Sequence, residues 1–141
     1  EPRQLQRILL QSAQDLGTEG FDQNHGYGLV DAAAALGGQL DRFLESRLLA
    51  AILEEDRTLS ITGIADADQF SQAWLEYGVG ENPATWNLLG TPLLQPVNGQ
   101  RLYSLNPKTL PGGLITLRLR VQHHDGGQRS SYLQLQLPNN P

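Results

Sequence analysis

Three groups of residues in this chain are of types that do chemistry. His123, His124 and Asp125 stand in a row, and such a set binds a transition metal or moves a proton if its side chains converge. Neighbouring residues of a strand point to opposite faces, however, and the surrounding "HHDGGQR" has the glycines of a hairpin turn. A turn is the expected reading, and a free-standing enzyme built on these three residues is the last of the readings considered. Asp22 and His25 share a glycine-bearing loop, "GFDQNHGYG", and would need a serine to complete a nucleophile, base and orienter. No serine lies in a Gly-x-Ser-x-Gly setting, so no catalytic residue is assigned. The third group is carboxylic: Glu54, Glu55 and Asp56, then Asp66 and Asp68. These would offer oxygens to a structural calcium at one end of a β-sandwich, but the spacing is not that of a calcium-binding loop and fits a solvated acidic turn. No other cofactor is expected.

Trp74 and Trp86 are the candidate ligand-binding residues. If Ala73, Leu75 and Tyr77 face a core, Trp74 points away from it, where an indole can act as a platform for a carbohydrate; packing inside a sandwich is the competing use.

The elements that must position these residues fall into two parts. Leu5, Ile8, Leu9 and Ala13 recur at helical spacing opposite Arg3, Gln4, Arg7, Gln11 and Gln14, with Pro2 suited to a first turn and Gly17 to a stop. A second helix is expected from about Leu29 to Leu36, ended by Gly37 and Gly38. Two helices this short rarely supply a core of their own. They need a surface to cover, and self-association is expected if that surface is not the rest of the chain. "DRFLES", Asp41 to Ser46, reads as a linker or short helical turn.

Beyond it the period falls to two. Leu59 and Ile61 alternate with Thr58, Ser60 and Thr62; Ile115, Leu117, Leu119 and Val121 alternate with Thr116, Arg118, Arg120 and Gln122; Leu133, Leu135 and Leu137 alternate with Gln134 and Gln136. With "AWLEYG", "TWNLLG", "RLYSL" and "LLAAIL" the count is about seven strands. "LLAAIL" would serve a helix equally well. The expected fold is mainly β: an antiparallel sandwich of immunoglobulin or fibronectin type III kind, preceded by two short helices. The expected division is residues 1–38 helical, 39–47 linker, 48–138 sandwich and 139–141 tail.

Bulk properties remove several function classes. A net charge of -5 with ten basic residues scattered singly gives no stripe to neutralise a phosphate backbone, so nucleic acid is not an expected partner. The longest apolar run, Leu48 to Leu53, falls far short of the roughly 20 residues that a membrane helix needs. There is no Cys, and with no Met and Glu at position 1 the chain is expected to be a piece of a longer polypeptide.

"LQRILLQSAQDLGTEGFDQNHGYGLVDAAAAL" resembles the end of the catalytic domain of subtilisin-like serine proteases. The likeness lies in Ser12-Ala13, Asp15-Leu16-Gly17, Gly26, Gly28, Val30 and Ala32 in order. From about Ser60 to Gly126 the chain is similar to sandwich modules that follow such domains in large secreted bacterial subtilases, through "LEYGVGENPATW" and "LPGGLITLRLRV". It departs from their pattern at Ile64-Ala65 and Leu114-Ile115. The resemblance implies a secreted serine endopeptidase whose Asp, His and Ser lie upstream of these residues, leaving this region non-catalytic. The partners it implies are the parent's catalytic domain and a protein or polysaccharide substrate. The alternative is a stand-alone sandwich that binds a polysaccharide, a cell surface or a protein.

Overall fold

The computed structural model describes residues 2–17, 20–22, 24–37 and 43–139, apart from the side chains of Arg3 and Gln4. Two helices, α1 (Pro2–Ser12) and α2 (Ala32–Gly37), precede seven strands. These are β1 (Leu44–Leu53), β2 (Leu59–Ala67), β3 (Phe70–Val79), β4 (Asn87–Leu93), β5 (Val97–Leu105), β6 (Gly113–His123) and β7 (Gln128–Leu137). All ladders are antiparallel, in a three-stranded sheet ordered β1-β2-β5 and a four-stranded sheet ordered β4-β3-β6-β7. The seven-stranded antiparallel sandwich behind two short helices is thus the architecture present.

Alternation in the sequence becomes burial in the fold. Ile115, Leu117, Leu119 and Val121 of β6 and Ala73 and Leu75 of β3 have no exposed surface, and they meet Leu59, Ile61 and Ala65 of β2 in one core. Each fully buried leucine or isoleucine contributes about 1.5–3 kcal/mol, so this layer dominates the stability.

Strand β1 corrects the expected linker. Residues 44–47 belong to the sandwich, because Leu44, Ser46 and Leu48 alternate inward. Ser46, which made the stretch look solvated, is 1% exposed: its Oγ donates to the Leu119 carbonyl at 2.7 Å and shares a hydrogen bond of 2.9 Å with Ser131 Oγ. Those bonds carry a polar side chain into the core without the cost of an unpaired hydroxyl. "LLAAIL" is strand rather than helix; a register shift between Leu48 and Ala50 absorbs its broken alternation and leaves Leu49 facing out. Of the rest of the expected linker, Phe43 is buried next to β1, while residues 39–42, together with Gly38 and tail residues 140–141, lie outside the described residues.

Both helices are shorter than the periodicity suggested. α1 stops at Ser12, whose Oγ bonds back to the Ile8 carbonyl, and Gln14 then pairs with Leu29 through two backbone hydrogen bonds of 2.7 and 2.8 Å. That bridge takes Leu29 out of the second helix. α2 therefore begins after Asp31, whose Oδ1 accepts from Ala34 N at 2.9 Å as an N-cap. At Gly28, φ is +101° and an added Cβ would fall 2.0 Å from the Gln14 carbonyl oxygen. At Gly20, φ is +82° and the Cβ would meet Ser130 O at 1.9 Å. Glycine is needed at both so that backbones can touch.

The segment docks on β1 and β7 through aromatic rings and arginines. Tyr27 is buried, packs edge-on against Phe21 at 5.0 Å, and donates its hydroxyl to Glu45 Oε1 at 2.5 Å. Burial, followed by the Glu45 hydrogen bond, pushes this phenol well above its usual pKa. Arg47 lies 4.2 Å over Phe21, Arg7 3.9 Å over Phe43, and Arg129 bridges the Leu10 and Leu44 carbonyls at 3.2 and 3.3 Å. Desolvation lowers the Arg129 pKa.

Candidate ligand-binding site

The outer face of the four-stranded sheet carries the polar half of the alternation. Register sets Trp74 opposite Arg120, Glu76 opposite Arg118, and Arg118 opposite Tyr132. Glu76, only 7% exposed, accepts from Arg118 Nε at 2.6 Å and lies 3.5 Å from Arg120 Nη1. This pairing holds both guanidiniums on the sheet face, where each meets an indole: Arg118 at 4.1 Å from the Trp86 centroid and Arg120 at 4.7 Å from that of Trp74. Arg120 also donates to Gln128 Oε1 at 2.6 Å.

Trp86 reaches this face because the β3–β4 connection folds back over it. Gly80 N donates to the Leu114 carbonyl at 2.9 Å, and Thr116 Oγ1 donates to Gly80 O at 2.6 Å. Between this connection, strands β6 and β7 and the loop holding Asp22 and Asn24 runs an open groove of about 810 Å³. Trp86 and Tyr132 form its aromatic part, with ring centroids 6.0 Å apart and planes inclined by 55°. Asn24, Asn82, Gln134, Asp22 and Glu81 provide polar walls. An aromatic floor with amide and carboxylate walls suits an uncharged, hydroxyl-bearing ligand. It disfavours anions, since the charged residues that line it, Asp22 and Glu81, are acidic.

The two sequence candidates therefore separate. Trp86 lines the groove; Trp74 is half-buried on the same sheet face but is not among the lining residues. Tyr132 was not singled out from the sequence, although the alternation that turns Leu133 and Leu135 inward places Tyr132 with Gln134 on the outside.

The other chemistry-bearing groups form local structure. Asp22 Oδ1 accepts from Asn24 N and His25 N at 2.8 and 2.7 Å, and Oδ2 lies 3.4 Å from His25 Nδ1. The His25 backbone bond, first among these contacts, holds the Asp22 carboxyl below its ordinary pKa. The described serine hydrogen bonds at Ser12, Ser46 and Ser131 lie elsewhere, with Ile8, Leu119 and Leu48. His123 and His124 diverge as strand neighbours should: His123 is buried and His124 is exposed in the turn. His123 Nε2 sits 2.7 Å from Asp68 Oδ1, and Nδ1 sits 3.1 Å from Asp125 Oδ1, so the ring staples the β6–β7 hairpin to the β2–β3 turn. Burial raises the Asp68 pKa, but hydrogen bonds from the Phe43 backbone, His123 and the Gln69 backbone outweigh it, and the net shift is downward. The five candidate calcium carboxylates do not converge. Glu54, Glu55 and Asp56 precede β2 and Asp68 follows it, and Asp66 is bonded to Asn98 Nδ2 at 3.0 Å.

Comparison with known proteins returned no match to a family model, a curated protein or a solved structure.

Proposed function

We propose that this chain is the non-catalytic C-terminal region of a secreted subtilisin-like serine endopeptidase, the last helices of its catalytic domain followed by an accessory sandwich that serves stabilisation, spacing or recognition of a substrate or surface. The sequence resemblance supplies the family, and peptide-bond cleavage belongs to the parent. One observation carries the accessory role. After docking on the sandwich, the loop–helix segment still exposes Leu5 (58%), Leu29 (59%), Val30 (62%) and Leu36 (90%). Large apolar side chains exposed on one short segment offer an interaction surface, and a catalytic domain packed there would cover them. A second reading, a stand-alone binding module, draws support from the docking of the segment through Tyr27 and Arg129, which ties helices and sandwich into one unit. The groove at Trp86 serves recognition under either reading.

The purified chain is expected neither to hydrolyse a denatured protein substrate nor to be labelled by a fluorophosphonate. Hydrolysis abolished by a serine-directed inhibitor would overturn the non-catalytic reading.

A further inference from the structure

We propose that the groove at Trp86 is a subsite for a neutral saccharide, an inference that rests on reading the sandwich as a recognition module. A pyranose ring has apolar C–H faces and a rim of hydroxyls that both donate and accept. The groove is built to the same division. Trp86 and Tyr132 supply ring surface, while the amides of Asn24, Asn82 and Gln134 each carry a donor and an acceptor. Its volume, about 810 Å³, falls in the range of small-ligand sites. Arg118 at 4.1 Å and its bond to Glu76 fix the indole before any ligand arrives, so little side-chain freedom is lost on binding.

Charge narrows the class. Asp22 and Glu81 line the groove and would repel a uronic acid or a sulfated sugar. A proline-rich peptide, the other usual guest of aromatic grooves, needs a run of rings forming apolar slots. Here a single tilted pair is bordered by amides and carboxylates, which favours hydroxyls.

The test is calorimetric titration of the full chain with soluble oligomers of β-linked glucose, mannose and N-acetylglucosamine, beside a galacturonic acid oligomer and a proline-rich peptide. At least one neutral oligomer is expected to bind saturably. Trp86→Ala and Tyr132→Ala should each weaken that binding roughly tenfold or more. Asn82→Ala, in an exposed loop where folding is not at stake, should weaken it severalfold, and Lys108→Ala, outside the groove, should leave it unchanged. Preference for the acidic oligomer or the peptide would overturn the proposal. So would neutral-sugar binding that is indifferent to both Trp86→Ala and Asn82→Ala. Failure to bind any neutral oligomer, with retention on an insoluble protein intact, overturns the saccharide assignment and leaves the accessory reading standing; failure on every sugar, polymer and protein surface brings down the recognition role as well.

Discussion

Strand β6 buries Ile115, Leu117, Leu119 and Val121 completely, whereas the loop–helix segment buries one aromatic side chain, Tyr27, and leaves Leu29, Val30 and Leu36 largely in solvent. The sandwich is held by non-directional burial spread over two sheets. The segment is held by a few directional contacts: a phenol on Glu45, Arg129 on two carbonyls, and guanidiniums over rings. Loss of any one apolar contact in the sandwich is felt by the whole unit, while loss of one polar contact in the segment frees that segment alone. The motif "NHGYGLVDAAAAL" belongs to the second regime, with Gly28 giving close backbone approach and Tyr27 anchoring the docking.

The comparison breaks most visibly at Leu119. Leu119→Ala empties a fully buried site and is expected to cost about 2–5 kcal/mol, read as a lower urea midpoint for the whole chain. A loss confined to the segment would contradict the division drawn here. Tyr27→Phe is expected to act in the opposite manner. It removes the hydroxyl bonded to Glu45, costing about 1–2 kcal/mol, and should raise protease sensitivity at residues 24–31 while the sandwich midpoint stays within error.

A smaller effect sharpens the comparison at the sandwich's own polar staple. The Asp68 carboxyl has a lower pKa folded than unfolded, so its contribution is present above the unfolded value near pH 4 and is lost as the pH falls through the folded one. Asp68→Asn should therefore lower stability at neutral pH by less than about 1 kcal/mol, the size of a partly exposed pair, and flatten the acid side of the profile. Residual slope would remain from Asp22 and Asp56, whose pKa values are also depressed. An unchanged acid profile would show that the hydrogen bonds to the Asp68 carboxylate from Phe43, His123 and Gln69 contribute nothing.

Strands β2, β3, β6 and β7 were legible from local alternation, since a half-buried strand writes its two faces directly into residue order, whereas "LLAAIL" of β1, with its alternation broken, read equally as helix. What stayed hidden depended on partners far along the chain. Ser46 looked like linker because its partners, Leu119 and Ser131, are 73 and 85 positions away. Asp68 looked like a solvated turn because His123 is 55 positions away. Leu29 looked helical until Gln14 claimed its backbone. In the candidate site, Trp86 was visible as an aromatic residue, but the groove also needed Tyr132, Asp22 and Asn24, the last two brought alongside it only by the docking of the segment.

Hydrogen exchange at Gln14 and Leu29 tests the account most directly, because these two amides close the bridge within the segment that Tyr27 anchors to β1. Both are expected to exchange roughly a hundredfold more slowly than in an unfolded chain, and to lose that protection in Tyr27→Ala while the β6 amides keep theirs. Free exchange at both positions in the unaltered chain, beside a protected sandwich, would show that the segment does not rest on it.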